Sequence, residues 1–197
     1  MNDATTQAYR RLLQQISSYA DFTEEEQALI TAKFRPGSFA AREHLLYGEA
    51  TCKELHFVAS GLVRAYHLME DKEITTYLSC DDGFISSYAS FVTQSPSAEH
   101  LQCLEPTEVL TISHAAMQQL YHEVPNWQVI GRVLAESHYL CMADRVLKLQ
   151  ALPAREKYLD FLATAPIKVV QRTPLVHIAS FLGITPESLS RIRKAIS

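Results

Sequence analysis

The segment from Phe34 to about Ser113 constrains the fold more than any other part of the chain. Short apolar or alternating runs are separated there by turn residues, and Gly37, Gly48, Gly61 and Gly83 all lie at predicted turns. The runs ELHFVASGLVRAYHL and EITTYLS have the aromatic and β-branched content of strands, with MEDK as the turn between them. Regularly spaced short strands predict an antiparallel sandwich or jelly roll.

Helical patterns flank this segment. Residues from about Thr5 to Tyr19 predict an amphipathic helix, and TEEEQALITAKF predicts a second, with Thr23 as N-cap and Glu26 at the capping-box position. Pro153 is predicted to start another helix that ends near residue 163, and TAPIKVVQRTP is interpreted as a linker. Helices around one antiparallel β domain predict the α+β class.

A long helix is predicted from about Asn126 to Gln150. Its spacing suits burial against the β domain and against a partner helix together, so we expect a homodimer; burial within its own chain alone is the alternative. The apolar positions that carry this expectation are Ile130, Val133, Leu134, Leu140, Cys141 and Leu147.

The C-terminal stretch HIASFLGITPESLSRIRKAIS predicts a helix-turn-helix. Thr185 is a good N-cap and Pro186 suits the first helical position, so a helix should begin there. Gly183 indicates the end of an earlier helix covering roughly Pro174 to Leu182. Two short helices joined by a tight turn with a glycine are typical of this motif.

The last helix has two contrasting faces. Leu189, Ile192 and Ile196 lie on one face and should pack on the preceding helix. Arginine can bind guanine through two hydrogen bonds, glutamate can accept from cytosine, and serine is adaptable, so the opposite face is suited to base recognition. That polar face carries Glu187, Ser190, Arg191 and Lys194. The alternative is a solvated face on which Glu187 and Arg191 pair with each other.

Charge is distributed unevenly. The chain carries −4, yet the segment from Gln171 onward holds four basic residues and one acid, which gives this end a local balance of +3. A cationic end on an acidic body favours a nucleic-acid partner. No apolar run is long enough to cross a membrane and no secretory pattern begins the chain, so we expect a cytoplasmic protein without membrane contact.

Metal and catalytic sites are not predicted. The four cysteines lack C-x-x-C spacing, which argues against zinc and iron–sulfur sites and favours buried, reduced thiols. The histidines are dispersed, and no nucleophile–base set, paired-acid motif or phosphate loop is present. We therefore expect neither an enzyme nor a cofactor.

The order of helices, jelly roll, long helix and helix-turn-helix resembles the Crp/Fnr family of bacterial regulators. Two stretches carry the resemblance: LHFVASGLVRAYHLMEDKEITTYLSCDDGFI is similar to the central β-roll, and HIASFLGITPESLSRIRKAIS is similar to the DNA-reading unit. The resemblance implies a sensor domain over 1–122, a connecting dimer helix over 123–150 and a DNA-binding domain over 151–197. It also implies a two-fold dimer on double-stranded DNA, with its reading helices about one DNA turn apart.

The same resemblance implies which residues contact DNA. Glu187 and Arg191 match positions that touch base edges, and the other matched positions lie near bases or phosphates. The complete set of expected DNA contacts is Thr185, Glu187, Ser188, Ser190, Arg191, Arg193 and Lys194.

The ligand cassette departs from the cyclic-nucleotide pattern. Ser86 and Ser87 replace the family's Gly-Glu pair, and SPSAEHLQ supplies Glu99 where an arginine would meet the cyclic phosphate. A buried phosphate needs a cation or several aimed donors, so cyclic AMP is not expected to bind. Two alternatives for this site remain open and are weighed equally. In one, the site binds a different small effector; in the other, it is vestigial and its side chains hydrogen-bond to each other. The candidate pocket residues are Ser86, Ser87, Tyr88, Ser90, Ser97 and His100.

Two further departures concern DNA binding. Family members usually continue into a β-wing that grips phosphate, whereas this sequence stops at Ser197, which predicts weaker and less salt-dependent binding. Pro186 stands where relatives gain a guanine contact from arginine, so a shared consensus site is not expected. The competing class is a ligand-binding or protein-docking module that has lost DNA binding.

Overall fold

The computed structural model describes residues 3–70 and 72–196. The helices are α1 (Asp3–Ser17), α2 (Glu24–Lys33), α3 (Tyr88–Thr93), α4 (His114–Glu123), α5 (Trp127–Ala151), α6 (Ala154–Thr164), α7 (Ile167–Arg172), α8 (Leu175–Phe181) and α9 (Pro186–Ile196). The strands are β1 (Arg35–Phe39), β2 (His44–Leu46), β3 (Glu54–Ser60), β4 (Leu62–Met69), β5 (Lys72–Cys80), β6 (Phe84–Ile85), β7 (His100–Cys103) and β8 (Thr107–Ser113).

The strands form two antiparallel sheets, in the orders β1-β8-β3-β6 and β2-β7-β4-β5. The predicted jelly roll and α+β class are therefore confirmed. The hairpin of β4 and β5 is also present, although Asp71 in its predicted MEDK turn lies outside the described residues. Gly61 carries the chain from β3 in one sheet to β4 in the other with φ +127.

One hydrophobic core joins the N-terminal helices to the roll. Leu12 of α1 and Phe57 of β3 are fully buried together with Trp127 at the start of α5. The predicted capping box of α2 is confirmed, because Thr23 Oγ1 accepts from the Glu26 backbone N–H and the Glu26 carboxylate accepts from the Thr23 N–H. The shared core, rather than this cap, holds the first turn of α5 on the roll.

A second core links the C-terminal helices to the roll. Val169, Ile178 and Leu189 are buried in one cluster with Leu62 of β4. The interpretation of TAPIKVVQRTP as a linker is wrong, because α7 forms within it and buries Val169 in this cluster. The helix-turn-helix therefore packs directly on the β-roll.

Residues 3–70 and 72–196 contain neither a membrane-spanning helix nor a cluster of metal ligands. None of their helices combines the length and the apolar character that spanning a bilayer requires. No three histidine, cysteine or acidic side chains in these ranges are grouped to hold a metal ion. All four cysteines are free; Cys52 and Cys103 are buried as predicted, whereas Cys141 is exposed.

Candidate nucleic-acid interface

The turn between α8 and α9 brings the two helices into close contact. Gly183 adopts φ +63, a left-handed conformation that costs glycine little. The turn is closed by hydrogen bonds from Gly183 N to Ser180 O (3.1 Å) and from Ile184 N to Ala179 O (3.0 Å). Ala179 is fully buried, and its small side chain lets α9 approach α8. The predicted helix end at Gly183 is confirmed.

Helix α9 begins and packs as its sequence predicts. Thr185 Oγ1 accepts from Ser188 N at 3.2 Å, which caps the first turn, and Pro186 occupies the first helical position. Leu189 is buried, and Ile192 and Ile196 pack against the second core. The side chains of the opposite face are thereby directed away from the protein.

The polar face of α9 is open to solvent. Ser188 is half-buried, whereas the other members of this face are exposed: Glu187, Ser190, Arg191, Arg193 and Lys194. Arg191 Nη2 donates to Ser188 Oγ at 3.3 Å. No ion pair joins Glu187 to Arg191, both of which are described, so the alternative pairing predicted from their spacing does not form. Both charged groups remain available to a ligand.

Helix α8 is fastened to strand β5 by hydrogen bonds that the sequence did not predict. Ser180 Oγ accepts from Thr75 N at 2.9 Å and donates to Glu73 O at 2.8 Å. Beneath α8, Lys168 of α7 forms ion pairs with Asp81 (2.7 Å) and Glu105 (2.8 Å) of the roll. The helix-turn-helix and the roll therefore share polar as well as apolar contacts.

Arg64 lies at the centre of this boundary and is only 2% exposed. Its guanidinium donates to Glu73 Oε2 (2.6 Å), to Gln102 Oε1 (2.7 and 3.0 Å) and to His177 Nδ1 of α8 (2.9 Å). Burial, and then the Arg64 charge, lowers the pKa of His177 to about 4. This imidazole is therefore neutral near pH 7 and can accept the hydrogen bond. An arginine within the apolar run LVRAYHL is unusual, but nothing local in the sequence identifies His177 as its partner.

The candidate ligand residues separate into three groups. Ser86 and Tyr88 line a cavity of about 230 Å³ between the roll and α5. Ser87, Ser90 and Ser97 are buried beside it rather than in its wall. Their hydroxyls are occupied: Ser97 donates to Ser87 (2.8 Å), Ser87 donates to the Glu99 carboxylate (3.0 Å), and Ser90 accepts from the Cys52 backbone N–H (2.9 Å).

His100 lies away from this cavity. Its ring stacks on Tyr66 with centroids 4.8 Å apart, and its Nδ1 accepts from Gly48 N at 3.1 Å. The structure therefore does not bring His100 together with Ser86 and Tyr88.

The roll cavity is acidic. Asp82 and Glu99 line it, and no lysine or arginine does so among the described residues. Asp82 is paired with Arg11 at 2.6 Å, whereas Glu99 accepts from Thr76 at 3.0 Å and from Ser87. A phosphate entering this cavity would meet a carboxylate and no cation.

The outer side of α5 carries an exposed apolar stripe. Tyr139, Leu140, Val146 and Leu147 are 71%, 64%, 52% and 63% exposed, and Cys141 beside them is exposed as well. Two further dimer candidates, Val133 and Leu134, are half-buried. Ile130 is fully buried in the core of its own chain and does not face a partner.

Known proteins resemble this chain in one domain sequence and in the overall fold. Residues 36–123 match the family model of the cyclic nucleotide-binding domain. No curated protein sequence matches the chain.

Solved structures of bacterial regulators share the fold over most of the chain. The c-di-GMP-responsive global regulator CLP of Xanthomonas campestris is similar at 17% identity and TM-score 0.71, covering 88% of this chain and 91% of its own. FixK2 of Bradyrhizobium japonicum is similar at 20% identity and TM-score 0.70, covering 83% and 84%. A Eubacterium rectale protein described as a Crp/Fnr transcriptional regulator is similar at 15% identity and TM-score 0.67, covering 89% and 84%. The chain therefore has a segment, residues 36–123, that is similar to the cyclic nucleotide-binding domain, and it shares the overall fold of these solved bacterial regulators.

Proposed function

We propose that this protein is a transcription regulator that binds double-stranded DNA as a homodimer. The observation that carries the proposal is the exposed face of α9, where Glu187 and Arg191 are unpaired with each other on a helix whose other face is held by Leu189. A helix of this kind, supported by a second helix across a glycine turn, fits the major groove. The shared fold with bacterial regulators supports the same conclusion.

Within this proposal the polar residues of α9 have different roles. Arg191 binds guanine through its fork of donors, Glu187 accepts from cytosine, and Ser188 and Ser190 contact bases or nearby phosphates. Thr185, Arg193 and Lys194 lie toward the DNA backbone and set position rather than sequence preference.

The proposed domains are 1–122 for sensing, 123–150 for connection and 151–197 for DNA binding.

The proposed dimer forms along α5. Val133, Leu140 and Leu147 follow one another at intervals of seven residues and so lie along one side of the helix. Large side chains that are more than half exposed, as Leu140 and Leu147 are, favour burial against a second copy. A two-fold pair of α5 helices would present two α9 helices to successive turns of the duplex.

We further propose that the roll does not bind cyclic AMP. Glu99 repels the cyclic phosphate, and Ser87, which stands where relatives bind the ribose, already donates to Glu99. Desolvating a phosphate without a compensating cation is strongly unfavourable.

Selection from a random duplex pool tests the proposed function directly. The wild type should enrich a palindromic site, and Arg191→Ala should relax its guanine preference at a cost of about 1–3 kcal/mol in binding free energy. Arg155→Ala is the matched control, because Arg155 is an exposed arginine on α6 and should leave the selected site unchanged.

Salt dependence separates the two functional classes. A DNA reader loses affinity steeply as salt rises, because its lysines and arginines release counterions from the phosphates. An unenriched pool, or binding indifferent to both salt and Arg191, would instead favour a protein-docking module.

A further inference from the structure

A second cavity, of about 210 Å³, lies at the junction between the sensor domain and the DNA-binding end. Its wall combines β5, α5, α6, α7 and α8 and is mainly apolar, with Leu78, Leu149, Phe161, Phe181 and Leu182 among its lining residues. An apolar cavity of about 150 Å³ is large enough to hold benzene. The junction cavity therefore has room for one aromatic ring with a short chain.

Two cationic side chains at this cavity have donors that are not fully used in hydrogen bonds or ion pairs. Arg145 Nη2 donates to Thr75 O (3.1 Å) and Phe181 O (3.2 Å), yet its Nε is buried and has no hydrogen-bond partner. Lys157, also in the wall, forms no ion pair with any residue in the described ranges. The third cation, Lys148, differs because it is held at 2.7 Å each by Asp144 and Asp160, two carboxylates that also line the cavity.

Apolar walls with unsatisfied cationic donors define one class of ligand. We propose that the junction cavity binds a small, mainly apolar carboxylic acid, with its hydrocarbon part against Phe161 and Leu182 and its carboxylate at Arg145 and Lys157. A neutral apolar molecule would leave the Arg145 donor unpaired, whereas a multiply charged nucleotide would bury charge against the apolar wall.

This ligand would act on the contact between the two domains. Arg145 connects β5 to α8, since its Nη2 is shared between Thr75 O and Phe181 O. A carboxylate that engages Arg145 competes with these carbonyls and so biases how α8 sits on the roll. The regulatory consequence rests on the proposed function, but binding itself does not.

The test is isothermal titration calorimetry of the full chain, without DNA, with 3-phenylpropanoate as probe and 3-phenylpropanamide as its uncharged match. Ala165→Leu fills the junction cavity, which Ala165 lines, and Arg145→Gln removes the charge while keeping donors. Ser137→Leu is the control, because Ser137 lines the roll cavity instead. Circular dichroism checks that each variant is folded; where Arg145→Gln is not, Lys157→Gln replaces it.

The acid should bind, and the amide, Ala165→Leu and the charge-removing variant should each weaken binding by about tenfold or more, while Ser137→Leu changes it by less than about twofold. Absence of binding to the wild type at millimolar acid would overturn the proposal. Equal affinity for acid and amide would do so as well, as would binding that survives Ala165→Leu, whatever the effect of Ser137→Leu. Because no DNA is present, a failure of the proposed function leaves these outcomes unaffected.

Discussion

Arg64 Nη1 on strand β4 donates to His177 Nδ1 on helix α8 at 2.9 Å, across a separation of 113 residues. Arginine has no acceptor atom, so Nδ1 must be the unprotonated nitrogen of the imidazole. The hydrogen bond therefore exists only while His177 is neutral. This single contact ties the protonation of one histidine to the docking of helix α8 on the roll.

The first prediction is a pH dependence of this docking. Burial and the Arg64 charge lower the pKa of His177 from 6.5 to about 4, so between these values the unfolded chain binds more protons than the folded one. The contribution of His177 to stability is therefore complete above about pH 6.5 and is lost as pH falls toward 4. Urea unfolding at a series of pH values should show this slope.

His177→Gln provides the control, because glutamine keeps an acceptor and does not titrate. His56, whose pKa is also lowered to about 4 by burial, is present in both proteins, so the difference between them isolates His177. Identical slopes in the variant and the wild type would contradict the prediction.

Local chemistry explains what could be predicted from the sequence. The α9 faces, the Thr185 cap and the Gly183 turn depend on residues within one or two helical turns, and all three are observed. Helix α7 was missed because prolines on both sides resemble a linker, whereas burial of Val169 in a distant core stabilises it.

Long-range contacts explain what could not be predicted. The bond from Arg64 to His177 and the two bonds of Ser180 join segments more than 100 residues apart and leave no local pattern. The position of His100 is different, because the alternation of side chains along a strand predicts that it lies outside the roll. Its neighbour Leu101 points into the roll, so His100 must point out of it.

The second prediction concerns Ser180, whose hydroxyl bridges α8 and β5. Ser180→Ala leaves the Thr75 N–H without its partner in a fully buried residue, and should lower the free energy of unfolding by about 1–3 kcal/mol. Ser190→Ala, the same change at an exposed position of α9, should stay within about 0.5 kcal/mol of the wild type. Chemical denaturation measures both, and equal effects would show that the Ser180 bridge is energetically unimportant.

The third prediction concerns Gly61, where the chain changes sheet. Its φ of +127 disfavours any side chain, and an added Cβ would lie 2.4 to 2.7 Å from atoms of Thr107. Gly61→Ala should therefore cost about 2–4 kcal/mol, seen as a lower midpoint of thermal unfolding. Gly37→Ala has an ordinary φ and contacts of 3.3 Å or more, so it should stay within about 1 kcal/mol of the wild type.

The fourth prediction is that the phosphate of cyclic AMP adds no binding affinity for the roll cavity. The roll cavity offers Glu99 and Asp82 but no lysine or arginine among its described lining residues. Calorimetry should therefore find cyclic AMP binding no more tightly than adenosine, with any dissociation constant above about 1 mM. A clear preference for the cyclic nucleotide would require a cation to enter the cavity and would contradict the proposed specificity.

The fifth prediction concerns the apolar stripe of α5. Leu140 and Leu147 are both more than 60% exposed in the single chain and lie two helical turns apart, so a partner helix would cover them together. Replacing both with glutamate puts two like charges of each copy into that interface, where desolvation and repulsion oppose association. Sedimentation equilibrium should then report a monomer for the double variant and a dimer for the wild type.

Gln128→Glu supplies the matched control for the double variant. It adds a negative charge at an exposed position near the start of α5, before the stripe begins, and should leave the dimer intact. The double variant should also lose affinity for a palindromic duplex while retaining weak binding to a half-site, because each α9 face is unchanged. A wild type that sediments as a monomer at micromolar concentration, or a double variant that remains dimeric, would place the interface elsewhere and remove the two-fold arrangement on which the spacing of the reading helices depends.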